Sequence, residues 1–202
     1  MTNQKHPNEG RRRALRAAAL LPLSAAAGAL FVQEPVRAAP TPECRDNDEP
    51  TPRQTEGPFY KPRSPQRNSL IDSGMQGGKL VVTGRVLTTG CKPIAGALLD
   101  FWHCDAAGRY DLRGQRFRGH QLVDAGGAFR LETIHPGKYP GRARHIHVKV
   151  LAPNGKLLTT QLYFPGEADN DEDWIYTPKL AMQMPAGPQG GEGSFDFVLD
   201  VG

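Results

Sequence analysis

An all-β sandwich of short strands with long functional loops is the fold that this sequence predicts, on three observations. Runs rich in β-branched and aromatic residues recur from Lys79 onward. Gly, Pro, Asn and Asp break them up at short intervals. After residue 38 no stretch keeps a helical period with caps at its ends. Sheets without covering helices must bury their apolar faces against one another, which is the two-layer solution.

Residues 1–38 stand apart from that fold. Arg11-Arg12-Arg13-Ala14-Leu15-Arg16 precedes an Ala/Leu-rich run from Ala17 to Val32, and Val36-Arg37-Ala38 offers small residues where a signal peptidase would read them. The paired arginines resemble a twin-arginine export signal, which implies an exported, periplasmic or secreted protein. A membrane anchor is disfavoured, because the apolar run is short and holds Pro22. Six of the 25 basic residues and two of the 21 acidic ones lie in this leader, which leaves 19 of each. The sequence pI of about 9.1 therefore comes largely from the leader, and the remainder gives no support for nucleic-acid binding.

Residues 39–78 read as an irregular arm, rich in Pro, Asp, Glu and Ser. Its one compact aromatic cluster, Gln54-Thr55-Glu56-Gly57-Pro58-Phe59-Tyr60, is expected to dock, either as a packing anchor or at a functional site. Residues 79–202 form the sandwich domain. Leu80–Leu87 and Ala97–Trp102 are strands around the turn Thr88-Thr89-Gly90-Cys91-Lys92-Pro93. Gly119–Val123 and Ala128–Ile134 flank Asp124-Ala125-Gly126-Gly127, read as a hairpin turn. His145–Leu151 and Leu157–Phe164 flank Pro153-Asn154-Gly155, and one last strand runs from Ser194 to Val201.

The chemistry concentrates around Arg142-Ala143-Arg144-His145-Ile146-His147. On a strand, His145 and His147 leave the same face with Cα atoms roughly 7 Å apart, a spacing that suits two ligands of one metal. Two loops present tyrosines nearby in sequence, Tyr110 after Gly108-Arg109 and Tyr139 within Pro136-Gly137-Lys138-Tyr139-Pro140. Imidazole suits several transition metals, whereas phenolate is a hard donor, so the set favours ferric iron over zinc or copper. A His-x-His pair alone is more often an ordinary surface or hydrogen-bonded pair than a metal site.

In their order, Thr55-Glu56-Gly57-Pro58, Gly108-Arg109-Tyr110, Pro136–Pro140, Arg142-x-x-His145-Ile146-His147 and Thr160-Gln161-Leu162-Tyr163-Phe164 resemble the intradiol ring-cleavage dioxygenases, particularly the protocatechuate 3,4-dioxygenase branch. The resemblance implies a mononuclear non-haem Fe(3+) held by Tyr110, Tyr139, His145 and His147, with Tyr110 and His145 equatorial and Tyr139 and His147 axial. It implies cleavage of a catechol-type ring by O2 between its hydroxylated carbons, giving a muconate-type diacid. Arg142 would stabilise charge on the ring, and Tyr139 would take part as a base. Gln161, Gly57 and Pro58 would line the substrate pocket, and the resemblance implies a homo-oligomer in which Gly57 and Pro58 could reach a site across a subunit boundary. Two departures stand out. The Tyr139–His145 stretch is short, with Gly141 where the family carries an aromatic, which predicts a more open pocket. The long helical N-terminal segment of catechol 1,2-dioxygenases is not expected.

Other residues have plainer readings. His103, His120 and His135 are expected in hydrogen-bonded structural roles, and Cys104 as a buried, inert thiol. An oxidising compartment favours a Cys44–Cys91 disulfide. The competing functional class is a non-catalytic transthyretin-like or carboxypeptidase-regulatory-like binding module, which would have no need of Tyr110, Tyr139, His145 and His147 together with Arg142.

Overall fold

The computed structural model describes residues 49–185 and 191–201. The leader and Cys44 lie outside these residues. Among the described residues eight strands are formed: β1 (Lys79–Thr88), β2 (Leu98–Trp102), β3 (Arg118–Leu122), β4 (Ala128–Ile134), β5 (His145–Leu151), β6 (Leu158–Tyr163), β7 (Glu192–Ser194) and β8 (Phe197–Leu199). Among the described residues the only helical pieces are two three-residue 3-10 turns, Ala168–Asn170 and Pro178–Leu180. No helix there is long and apolar enough to cross a membrane.

The strands make two four-stranded sheets. One is ordered β3-β2-β5-β6 and is antiparallel throughout. In the other, β1 pairs antiparallel with β4 on one side and parallel with both β7 and β8 on the other. The alternation of each strand sends one set of side chains into a shared core. Ile146, Val148 and Val150 of β5 and Leu158 and Leu162 of β6 meet Leu80, Val82 and Val86 of β1 and Phe129 and Leu131 of β4. Each such side chain contributes about 1.5–3 kcal/mol by leaving water, and the same alternation turns His145, His147, Gln161 and Tyr163 to the opposite face.

That opposite face is not left to solvent. Residues 49–78 form no strand, but their backbone is tied down along the way. Gln54 N donates to Thr159 O at 2.8 Å, Arg67 N to His120 O at 2.9 Å and Leu70 N to Glu132 O at 2.8 Å, with Leu70 fully buried. The arm and the loops 103–117, 135–144 and 164–181 thus roof the outer face of the β3-β2-β5-β6 sheet, and His145 and His147 are only 4% and 3% exposed.

Two expectations are corrected. Asp124–Gly127 forms a tight turn, with Gly127 N donating to Asp124 O and Asp124 Oδ1 accepting from Gly126 and Ala128. It does not close a hairpin, because β3 pairs with β2 and β4 with β1, so the turn carries the chain from one sheet to the other. The single final strand is in fact two. Between Ser194 and Phe197 the Asp196 carboxylate replaces a backbone acceptor, taking the Arg85 N–H at 2.7 Å and the Arg85 guanidinium at 3.2 Å. Gly84 sits so close to this break that a Cβ would lie 1.8 Å from Phe195 O. The Pro153–Gly155 turn does close the β5–β6 hairpin, with Asn154 at φ 62° and Gly155 N bonded to Ala152 O.

Candidate metal centre

Two loops bring the tyrosines to β5, and glycines let those loops touch backbone to backbone. A Cβ on Gly108 would lie 2.1 Å from Lys138 O, and one on Gly137 would lie 2.3 Å from Gly108 N. Gly137 N donates to Asp105 O at 2.8 Å, which locks the Tyr110 loop to the Tyr139 loop. Tyr139-Pro140-Gly141-Arg142 is then a β-turn, closed by Arg142 N to Tyr139 O at 3.0 Å, with Gly141 at φ +76°. One turn therefore sets both Tyr139 and Arg142. The position a Cβ would take on Gly141 meets nothing within 4 Å, in keeping with an open rim there.

The donor atoms converge. His145 Nε2 lies 3.2 Å from His147 Nε2 and 3.3 Å from the Tyr110 hydroxyl. His145 Nδ1–H donates to Ala143 O at 2.6 Å, so the lone pair on Nε2 faces the cluster. His147 Nδ1 is buried and finds no hydrogen-bond partner, so packing orients that ring. Trp102 stacks on it at 4.8 Å and 4°, and a Cβ on Gly57 would lie 3.4 Å from its Cε1. Tyr139 joins through its ring, edge-on to Tyr110 at 5.9 Å. Phe59 stacks on Tyr110 at 4.3 Å and meets Tyr139 edge-on at 5.3 Å.

Burial sets the charge state of this cluster. It lowers the His145 imidazole to about 4 and His147 well below its ordinary value, and it raises the Tyr110 phenol. Without a cation the cluster is thus two neutral imidazoles and a neutral phenol, and a bound cation is what would favour the phenolate. Metal–donor bonds of about 2.0–2.2 Å place neighbouring donors roughly 3 Å apart, so the observed 3.2 and 3.3 Å separations fit one small metal ion. Among the described residues no group of three His, Cys, Asp or Glu could hold a metal, so the tyrosines are needed to complete the set.

Arg142 lies in a second network beside the first. Its Nε donates to Asp173 Oδ2 at 2.9 Å and Oδ1 at 3.1 Å, and Nη2 to Gln161 Oε1 at 2.8 Å and the Tyr163 hydroxyl at 3.2 Å. Gln161 Nε2 donates to Thr55 O at 3.1 Å, and the Tyr163 hydroxyl to Gln54 Oε1 at 2.8 Å. Asp173 was not picked out from the sequence, and Gln54 and Tyr163, though inside stretches that were, received no role of their own there. The one signal for Asp173 was its place in the acidic, Trp-containing stretch Asp171-Glu172-Asp173-Trp174. Arg144 turns elsewhere, to Glu167 at 2.7 Å and to Pro136 O.

The remaining predicted residues are placed as follows. Gly57 lies against His147, whereas Pro58 beside it is exposed. His103 is fully buried between Cys104 O and the Thr133 hydroxyl, and His120 bonds Ser64 through Nδ1. His135 packs on the Phe164 ring. Cys104 is free and buried, and burial pushes its thiol up to about 11. Cys91 is disulfide-bonded, and its expected partner, Cys44, lies outside the described residues.

A protein-family model described as "Dioxygenase" matches residues 55–201. The chain is 35% identical over 135 residues to the protocatechuate 3,4-dioxygenase beta chain of Burkholderia cepacia, covering 57% of each protein. It is 26% identical over 156 residues to the catechol 1,2-dioxygenase of Pseudomonas sp. strain EST1001, covering 64% of this chain and 52% of that one. The chain thus spans little more than half the length of these two relatives. Among solved structures, the dioxygenase domain of a dioxygenase carbohydrate-binding protein fusion from Streptomyces sp. SirexAA-E is 55% identical, with a TM-score of 0.73 over 76% of this chain and all of that one. The 3-chlorocatechol 1,2-dioxygenase of Rhodococcus opacus 1CP is 28% identical, with a TM-score of 0.66 over 74% of this chain and 72% of that one.

Proposed function

The chain belongs to the intradiol ring-cleavage dioxygenases, and we propose that it opens a catechol-type aromatic ring between its two hydroxylated carbons with O2, giving a muconate-type diacid. The observation that carries this reading is the convergence of Tyr110 Oη, His145 Nε2 and His147 Nε2 at 3.2–3.3 Å spacing, with Tyr139 against them. In this reading Tyr110, Tyr139, His145 and His147 would hold a ferric ion, which would supply the Lewis-acid and redox chemistry that O2-dependent ring cleavage needs.

The protein groups have separate tasks. The Tyr139 oxygen, as a phenolate, takes a proton from the entering catechol and becomes a neutral phenol. Arg142 supplies a fixed positive charge. Asp173, Gln161 and Tyr163 hold it in place, so it is set before charge develops on the ring. Gly57, Pro58 and Gln161 form the substrate wall, and Phe59 and Trp102 keep water from the donor cluster. Export by the twin-arginine route and homo-oligomeric assembly belong to the same proposal, the first supported by the leader sequence and the second by the family resemblance.

The test is to purify the protein, measure its iron and visible absorption, and follow O2 uptake with catechol, protocatechuate, hydroxyquinol and larger catechols. An iron-containing, coloured protein that consumes O2 with one of these is the expected result. A protein that stays colourless and iron-free after reconstitution overturns the reading in favour of a binding module.

A further inference from the structure

A second row of polar residues crosses the same sheet face one step along from the donor cluster. The row Gln161–His147–Trp102–Arg118 is aligned across β6, β5, β2 and β3, and two residues away the row Thr159–Lys149–Asp100–His120 repeats the register. Asp100 is the unusual member. It is 7% exposed, and among the described residues it forms no ion pair. Its register neighbour Lys149 turns instead to Glu56 and lies over the Tyr60 ring, 3.7 Å from the centroid.

The partners of Asp100 come from the arm. Ser64 Oγ donates to Oδ1 at 2.7 Å and the Tyr60 hydroxyl to Oδ2 at 3.2 Å. Ser64 is fixed in turn by His120 Nδ1, 2.8 Å from its carbonyl oxygen and 3.1 Å from Oγ. Tyr60 is the residue after Phe59, and its ring packs on Trp102 at 4.8 Å while Phe59 stacks on Tyr110. The segment that touches the donor cluster is therefore pinned on one side by Lys149–Glu56 and on the other by Tyr60 and Ser64 on Asp100. A carboxylate held under the arm by two hydroxyls is costly to bury, and that burial raises its pKa. A valine there would avoid that cost but could accept neither hydroxyl.

We propose that Asp100 is a positioning residue for the metal centre, anchoring Glu56–Tyr60 so that Gly57 and Phe59 are held against His147 and Tyr110. Asp100 touches neither substrate nor donor atoms and acts only through the arm. Its effect on turnover rests on the dioxygenase reading, whereas its effect on the arm does not.

The experiment compares wild type with Asp100→Asn and Tyr60→Phe, the latter keeping the ring and losing only the hydroxyl. Hydrogen exchange at the amides of Gly57, Phe59 and Tyr60 should speed up by about tenfold in both variants, the size of losing a hydrogen bond to a charged group. Amides of β1 and β4 should not change. KM for the best catechol should rise by about tenfold with kcat held within about threefold and iron content unchanged, as expected for a loosened wall around intact chemistry. Should Asp100→Asn fail to fold, Ser64→Ala removes one of the two hydroxyls and takes its place. Unchanged exchange at residues 57–60 overturns the proposal, as does exchange that rises equally in the arm and in β4. Faster arm exchange in a protein whose wild type consumes no O2 with any catechol upholds the anchor and removes the dioxygenase reading alone.

Discussion

Asp173 grips Arg142 from below, with both carboxylate oxygens within 3.1 Å of the arginine Nε. Asp173 Oδ2 also accepts the Ala143 N–H at 3.0 Å, and Oδ1 the Ile175 N–H at 3.2 Å, so its side chain is fully buried and fully used. The pair fixes the direction of the guanidinium without cancelling its reach, since Nη2 still points to Gln161.

Arg142→Ala is expected to keep its metal and lose turnover by roughly 10²–10³-fold, the usual size for one preorganised electrostatic donor. Arg144→Ala, whose partners are Glu167 and Pro136 O, should lose much less. Steady-state kinetics with iron analysis checks both. Equal activity of the two variants, or loss of iron from Arg142→Ala, would refute the role.

Asp173→Asn keeps the shape of the partner and removes its charge. It should lower kcat by about tenfold or more through a wandering guanidinium. It should also destabilise the fold by about 3–5 kcal/mol, the range for breaking one half of a buried ion pair. Denaturant titration beside kinetics separates the two effects, and a variant with wild-type values in both would show that Arg142 needs no anchor.

The two tyrosines should differ in the metal-loaded protein. On the proposed reading Tyr110, whose hydroxyl is 3.3 Å from His145 Nε2, would be the permanent donor, and Tyr110→Phe should retain less iron than Tyr139→Phe. Tyr139→Phe should keep a spectrally altered iron site and slow catechol binding. Absorption spectra and metal analysis with and without catechol test this, and identical behaviour of the two variants would reject the division of labour.

His103 gives a pH signature independent of turnover. Burial depresses it from 6.5 to about 4, with Nδ1–H given to Cys104 O and Nε2 facing the Thr133 hydroxyl. Because its folded pKa lies below its unfolded one, the fold favours the neutral ring, and that stability is lost as pH falls from about 6.5 to about 4. A shift of that size is worth on the order of 3 kcal/mol. Metal-free protein should therefore weaken across this window, and His103→Gln should weaken less steeply. Parallel slopes for the two proteins would assign the acid sensitivity to other groups.

The Cys44–Cys91 pairing is checked by mass mapping of non-reduced peptides. A Cys44–Cys91 peptide is expected, with Cys104 free as in the structure. Finding Cys91 joined to Cys104, or Cys44 free, would contradict it.

The strands were legible where apolar and β-branched residues gather between turn signals. Ala128–Ile134 and His145–Leu151 carry their face assignment in their residue types, and the observed bounds match. Partner choice was not legible, because Asp124–Gly127 has the same local chemistry whether it closes a hairpin or joins two sheets. The convergence of Tyr110, His145 and His147 followed from motif order. Asp173 escaped notice, and Gln54 and Tyr163 were seen only as parts of motifs, because their shared role arises only when the arm, β6 and the loop before Tyr176 fold over one another. No local pattern marks a residue whose partners lie 31 or 109 positions away.

The break between β7 and β8 carries a consequence for how the protein is made. β1 pairs with them through contacts such as Arg85 to Asp196, 111 residues apart. While the ribosome is still synthesising the middle of the chain, β1 can zip to β4 on one side only and presents a bare edge on the other. Contacts that span so much chain repay their closure entropy late, so the nascent protein passes through a stage with an open, sticky edge. A chaperone that shields that edge until the last strands emerge would keep it from pairing with the edges of other chains.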